Sequence, residues 1–343
     1  MPGLLSGADA DDSFAQVPPS GRQRQTEGVR IAWHARRMQT TESPLNAKIA
    51  LVAGATRGAG RAIAVELGRA GATVYVTGRT TRTRVSEVGR AGETIEQTAE
   101  LVTAAGGTGI AVPTDHLEED QVRALVERID AEQGRLDILV NNMWGGNYLL
   151  DFEKKMWDID LARGMRMIDL GVRTHIITAS LALPLLVRNP GGLVVEVTDG
   201  NAETNKGLRA NFYYDLAKNG PIRMAFILGE DLKQVGCGAV AVSPGFIRSE
   251  EMLDTFGLTE ETWREGIART PGWELSESPV YLARGVAALV ADPERARWNG
   301  RSFVSAELAR AYGTTDSDGS RPDFWSYDEA KNAGKDPRPE DHR

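Results

Sequence analysis

The chain has 343 residues, 41% of them hydrophobic and 26% charged, the composition of a folded globular protein with room for one large domain or two ordinary ones. Its 48 acidic against 40 basic side chains give a formal net charge of −8, which argues against a general nucleic-acid or membrane-surface binder. One cysteine, Cys237, excludes internal disulfides and cysteine-based zinc sites; the four histidines, His34, His116, His175 and His342, show no ligand spacing, so no metal is expected.

Residues 1–44 are rich in Pro, Gly, Ser, Gln and Arg, lack periodicity, and read as a disordered or irregular extension in which Met38 is an alternative start. Arg36-Arg37 runs into polar residues rather than an apolar stretch, so no signal peptide is read and a cytoplasmic enzyme is the expectation. From Lys48 the texture changes to short apolar runs alternating with longer amphipathic segments, the pattern of βα units around a parallel sheet. Strands are expected at 48–54, 73–78, 109–114, 136–141, 193–198, 239–244 and 301–306. Helices are expected near 59–71, 92–106, 118–133, 166–188, 209–235 and 279–292, with Gly71 and Gly106 as stop signals and Ser278-Pro279 as a start. The longest uncharged apolar run, 174–187, contains Pro184 and is shorter than the about 20 residues of a spanning helix, so it reads as a core helix.

The fold class implied is α/β: a single Rossmann-type, doubly wound, seven-stranded parallel sheet with helices on both faces, over residues 45–313. Two segments break the rhythm, 143–160 and 250–275. Both follow strands at their C-terminal ends, where such sheets bind ligands, and both carry tryptophans (Trp144, Trp157, Trp263, Trp273), so they are candidate walls of a substrate pocket. The tail 314–343, with eight acids against five bases, is expected to be irregular, its Phe324, Trp325 and Tyr327 docking on the body or on a partner.

The first strand runs into 54-GATRGAGRA-62. Gly54, Gly58 and Gly60 allow a tight turn and close approach of a pyrophosphate to the N-terminus of the next helix. The second strand ends in 76-VTGRTTRTR-84, without the acid that binds ribose hydroxyls in an NAD site. Arg79 stands there instead, and Arg57 stands inside the glycine loop; guanidinium groups suit a 2′-phosphate, so NADP(H) is the expected cofactor. Further on, 211-NFYYDLAKNG-220 places Tyr214 and Lys218 four apart, on one helix face. A free tyrosine, with a pKa near 10, is a poor base at neutral pH; a neighbouring ammonium stabilises its phenolate and eases proton transfer.

With these features in order, the chain resembles the short-chain dehydrogenase/reductase superfamily over nearly all of residues 47–306, as a divergent branch of it. The matched residues are the GxxxGxG loop, Asp115 after the third strand, Asn141-Asn142 after the fourth, Tyr214-x-x-x-Lys218, and 244-PGFIRS-249. The resemblance implies that Asp115 contacts adenine and that Asn141 supports the cofactor. It implies that Pro244 and Gly245 pass under the nicotinamide, that the Ile247 backbone holds its carboxamide, and that Ser249 stands in for a cofactor-binding threonine. It makes Tyr214 the proton donor or acceptor and Lys218 its electrostatic partner, acting on a small-molecule carbonyl or alcohol in a homo-oligomer, dimer or tetramer.

Two positions depart from the family. Its substrate-orienting serine falls on Asn201 by an ungapped count and on Thr198-Asp199 when the strand itself is aligned; its assisting asparagine falls on Asp169. An ionised Asp199 would oppose negative charge developing on a carbonyl oxygen. Thr198 would then supply the hydroxyl, or Asp199 would bind a substrate group, or a protonated Asp199 would donate. An ionised Asp169 would pair with Lys218 and weaken its pull on Tyr214. The expectation is an active but atypical reductase, with non-redox chemistry such as dehydration, or cofactor binding without turnover, as the competing readings.

Overall fold

The computed structural model describes residues 43–343; the expectations for residues 1–42, His34 and Met38 among them, lie outside the described residues. Seven parallel strands form one sheet: β1 (Ile49–Ala53), β2 (Thr73–Gly78), β3 (Thr108–Pro113), β4 (Ile138–Asn141), β5 (Leu193–Val197), β6 (Gly238–Ser243) and β7 (Ser302–Val304). Their order is β3-β2-β1-β4-β5-β6-β7, so the chain reverses direction across the sheet between β1 and β4. A ligand crevice opens beyond the strand ends at such a switch point.

The strands read as near-continuous apolar runs because helices cover both faces. One face of the sheet presents Val52, Val76, Val140, Val195 and Val242 to α1 (Gly58–Arg69) and to the helix Pro279–Ala291, through Ile63, Leu67, Leu282 and Leu289. The other presents Leu51, Tyr75, Leu139 and Val194 to Leu125 and Ile129 of α3 (Glu119–Gln133) and to Ala182 and Leu186. Between them, α2 (Ile95–Ala104) starts at Thr94, whose side chain accepts from the Gln97 N–H.

The helix expected over 166–188 is divided. It starts earlier, as α4 (Leu161–Ile168) capped by Asp160, passes through a π-helical turn at Asp169–Arg173, and resumes as α5 (Thr174–Leu186). The turn lies where Gly171 meets Ala217 and Trp144: a Cβ on Gly171 would sit 3.1 Å from each. π-Turns of this kind are enriched at functional sites. The helix expected over 209–235 is α6 (Phe212–Leu232), started by Asn211, whose side chain accepts from the Tyr214 N–H at 3.1 Å.

Three further helices carry no counterpart in the sequence reading: α7 (Glu250–Phe256), α9 (Ser305–Tyr312) and α10 (Phe324–Asn332), around the expected α8 (Pro279–Ala291). The seventh strand therefore ends at Val304 rather than 306, because Ser305 opens α9. The tail, expected to be irregular, holds α10, since Trp325 and Tyr327 bury their rings and Asp323 caps the first turn. Among the described residues no helix is long and apolar enough to cross a membrane.

Candidate active site

At the switch point an open cleft is lined by Gly54, Arg57, Arg79, Asp115, Asn142 and Trp144, among others. Gly54 is left-handed, with φ +79°, and its Cβ position is 2.7 Å from the Asn142 carbonyl oxygen. Asn142 in turn donates from Nδ2 to the Gly54 carbonyl at 2.9 Å, so the loop after β4 clamps the loop after β1.

The donor set suits the pyrophosphate of a nicotinamide dinucleotide. At the start of α1 the Gly58 N–H donates to Glu250 Oε2 at 2.7 Å, so a carboxylate of the chain itself sits where a helix N-terminus attracts anions. Arg57 donates from Nε to Glu93 at 3.3 Å, while its buried Nη2 has no hydrogen-bond partner. Arg79 pairs with Glu87 at 3.2 Å and lies 3.9 Å from Asp115.

The chemistry-bearing cluster lies beyond Trp144. Lys218 Nζ sits 3.8 Å over the Trp144 ring, and the Trp144 and Tyr214 rings meet edge-on at 5.6 Å. Burial lowers the Lys218 pKa to about 8, with the Asp199 charge acting in the opposite direction. The Tyr214 hydroxyl donates to Asp199 Oδ2 at 2.8 Å, and Arg209 Nη2 donates to the same oxygen at 2.9 Å. Burial first, then the Asp199 charge and hydrogen bond, push the Tyr214 pKa well above its ordinary value, against the opposing pull of Arg209.

The three candidates for the family serine separate cleanly. Thr198 donates its hydroxyl to the Lys218 carbonyl at 2.5 Å, tying β5 to α6 through the main chain. Asn201 caps a turn by accepting from the Glu203 and Thr204 N–H groups and donates to Glu307 at 3.0 Å. Asp199 is the one that meets the tyrosine hydroxyl. Asp169, at the head of the π-turn, lies 3.8 Å from Arg173 rather than being drawn into that cluster.

The Pro244–Ser249 segment is held from below and from the tail. Gly245 N–H donates to Glu277 at 3.0 Å, Ile247 bridges Glu277 in a parallel pair, and Ser249 caps α7. The Pro244 carbonyl accepts from Trp325 Nε1 at 2.8 Å. Asn141 is fully buried and donates to Glu196, which also contacts His175 Nδ1 at 2.5 Å; the outer nitrogen of His175 faces the Met143 carbonyl at 3.1 Å.

Arg209, Glu277 and the Glu196–His175 pair went unread in the sequence, whereas Trp325 docks on the body as expected of the tail's aromatics. For Arg209 a signal existed: a half-buried acid at position 199 needs a counter-charge, and Arg209 stands five residues before the tyrosine. The next residue, Ala210, takes a left-handed conformation, φ 56°, that costs an ordinary residue about 1–2 kcal/mol. Trp325 then covers the guanidinium, with 4.5 Å from Cζ to the ring centre.

Glu277 provides a test of how the clamp is held. Burial raises its pKa to about 8, partly offset by hydrogen bonds from Ser305 and Gly245, and its Oε1 is buried without a partner. Its folded pKa lies above the unfolded value of 4.5, so its contribution to stability is present below about pH 4.5 and lost as pH rises toward about 8. Glu277→Gln, which cannot ionise, is expected to remove that part of the decline, and melting curves of both proteins from acid to mildly alkaline pH would read it. Parallel Tm–pH curves would show that Glu277 does not titrate in this window.

Comparison with known proteins agrees with this architecture. The short chain dehydrogenase family profile matches residues 48–260. Dehydrogenase/reductase SDR family member 1 of Mus musculus is 32% identical over 293 residues, 83% of this chain and 88% of the relative; its Homo sapiens counterpart is 30% identical over 81% and 85%. The crystal structure of a short chain dehydrogenase from Mycobacterium thermoresistibile, 21% identical, superposes with a TM-score of 0.66 over 80% of this chain and 90% of that one, a likeness of fold alone. The chain belongs to the short-chain dehydrogenase/reductase family of oxidoreductases.

Proposed function

We propose that this protein is an NADP(H)-dependent carbonyl reductase or, in reverse, an alcohol dehydrogenase, with Tyr214 giving or taking the proton at the substrate oxygen. The observation that carries it is the continuity of the cleft with the Tyr214–Lys218 face: Trp144 lines the cleft and touches both side chains. The cofactor, when bound, supplies or accepts the hydride at its nicotinamide ring.

The chain's own residues bind and orient. Gly54, Gly58 and Gly60 leave room for the pyrophosphate, Arg57 and Arg79 meet the 2′-phosphate, and Asp115 borders the adenine. Asn141 holds the floor of the site through Glu196, while Pro244, Gly245, Ile247 and Ser249 frame the nicotinamide. Lys218 adds positive charge at the reacting end. Thr198 positions Lys218 through its backbone, and Asp169 shapes the π-turn beside it. The reading also takes the enzyme to be cytoplasmic and homo-oligomeric; exposed apolar side chains along α4 and α6, Leu161, Met165, Leu216, Phe226 and Ile227, support the second point.

The cofactor choice is tested by titrating the protein with NADP and NAD in parallel. Phosphate must displace Glu93 and Glu87 from the two guanidinium groups, so the gain is a difference between charge-assisted pairs. Replacing Arg57 and Arg79 together with alanine is expected to weaken NADP binding by about 10- to 100-fold and leave NAD binding within a few-fold. Equal affinity of the native protein for both cofactors would sink the NADP assignment. Cofactor oxidation driven by a panel of carbonyl compounds tests the activity, and stabilisation by cofactor with no turnover on any of them would count against it.

A further inference from the structure

Resting on the reaction just proposed, we propose that Asp199 is the terminal proton acceptor of the site, working through Tyr214, so that the tyrosine never has to ionise. In the usual arrangement for a tyrosine base, a nearby cation stabilises the phenolate. Here the phenol points at a carboxylate. Tyr214 Oη donates to Asp199 Oδ2 at 2.8 Å, and the Lys218 ammonium lies 5.6 Å from the Tyr214 ring centre, engaged with the face of Trp144. A phenolate beside that carboxylate would place two negative charges in contact, which is why Tyr214 is held neutral well above its ordinary pKa, burial being the larger cause.

The same geometry offers a relay. In alcohol oxidation the substrate O–H bond breaks and its proton goes to Tyr214 Oη, while the Tyr214 O–H bond breaks and that proton goes to Asp199 Oδ2. The electron pair of the substrate C–H bond leaves as hydride to the oxidised nicotinamide, and the C=O bond forms. Tyr214 is neutral before and after; Asp199 becomes a carboxylic acid and returns its proton to solvent, to which its side chain is 22% exposed. In carbonyl reduction the same two protons move the other way, Asp199 giving to Tyr214 as Tyr214 gives to the substrate oxygen. Arg209 holds Asp199 in line: its Nη2 shares the accepting oxygen, its backbone N–H is fixed by Asp215 at 2.8 Å, and Trp325 packs over it. The departure from the family serine is thus the acquisition of a base.

The charged and titratable groups around Asp199 are Arg209 from the preceding loop and Tyr214 and Lys218 from α6, and Asp328 of α10 acts in turn on Arg209. The full-length protein with Asp199→Asn, which keeps the shape but cannot accept the proton, is expected to oxidise alcohols about 100-fold or more slowly, with substrate KM and NADP affinity within a few-fold of native. Asp199→Ser, which restores the family residue, is expected to regain rate only as pH rises, because Tyr214 must then ionise with help from Lys218. Rates in mixtures of light and heavy water should show two protons in flight in the native enzyme and one in Asp199→Ser. Native rate and an unshifted pH profile in both variants would overturn the relay. A second readout needs no substrate: the ultraviolet phenol titration of Tyr214, taken as the difference from a Tyr214→Phe protein. Ionisation of native Tyr214 near the ordinary tyrosine pH overturns the proposal, whereas ionisation that moves down in Asp199→Ser supports it. Lack of native turnover on every alcohol and carbonyl tested strikes the oxidoreductase proposal instead, and the phenol titration still decides the Asp199–Tyr214 bond.

Discussion

Tyr214→Phe is expected to lower kcat by about 100- to 10,000-fold while NADP(H) affinity and melting temperature stay close to native, the range that follows when a positioned proton donor is removed. The reasoning is local. The phenol hydroxyl contacts Asp199 Oδ2, and the ring packs edge-on to Trp144, so phenylalanine keeps the packing and removes only the oxygen. The Lys218 ammonium lies 5.6 Å from the Tyr214 ring centre, so loss of the hydroxyl is expected to act on the reacting end and not on the adenosine end. In Tyr214→Phe, Asp199 keeps its bond from Arg209 and is not left as an uncompensated charge, which is why stability should hold. The check is single-turnover kinetics with a carbonyl substrate beside fluorescence titration of the cofactor. Full reductase activity in Tyr214→Phe would end the proposed function; weak activity together with weak cofactor binding would point to a structural role for the hydroxyl.

Gly60→Ala is expected to damage the cofactor loop itself. A Cβ at position 60 would lie 2.2 Å from the Gly54 carbonyl oxygen and 2.5 Å from Asn142 Nδ2. Those two atoms bond to one another at 2.9 Å, so the methyl group would drive a wedge into the clamp between β1 and β4. Neither neighbour can yield cheaply: one is backbone on a residue with φ +79°, the other belongs to a side chain fixed by that backbone. Overpacking of this kind costs about 1–3 kcal/mol and sometimes more. If the loop cradles the pyrophosphate as proposed, loss of cofactor binding by about 100-fold or more should accompany the lower Tm, because cradle and fold would share the same atoms. Chemical denaturation and cofactor titration of the variant measure the two effects. Gly60→Ala with native stability and affinity would mean that the loop adopts another conformation in solution. Ala59, its neighbour, is a built-in contrast: only partly buried, it packs at the edge of the core and already carries a Cβ.

Most of the scaffold was legible before any coordinates. Each expected strand from β1 to β7 lies within two residues of where the sheet has it at its start, because a strand buried on both faces must be an apolar run bounded by turn residues. The end of β7 was overrun because 301-RSFVSA-306 stays apolar into α9, and periodicity does not mark a strand-to-helix switch inside an apolar stretch. The unbroken helix over 166–188 failed for a related reason. Hydrophobic pattern alone does not report a π-turn, whereas the contact of Gly171 with Ala217 and Trp144 does. The tail was read as irregular because a few aromatics in an acidic segment cannot form a core alone; they form α10 by using Pro244, Phe246 and Arg209, residues far away in the chain.

The amino-acid sequence by itself determined the order of strands and helices, the glycine loop with Arg57 inside it, Arg79 at the end of the second strand, and the spacing of Tyr214 and Lys218 along one helix, since each is read from a short local stretch. Only the tertiary structure decided which of Thr198, Asp199 and Asn201 meets the tyrosine. One peptide unit turns Thr198 toward the Lys218 carbonyl, the next aims Asp199 at the phenol, and Asn201 is drawn away to Glu307. It also brought Arg209 and Trp325 to that carboxylate. A hydrogen bond is settled by direction and distance between atoms that the chain must first fold to bring together, and a linear pattern carries neither.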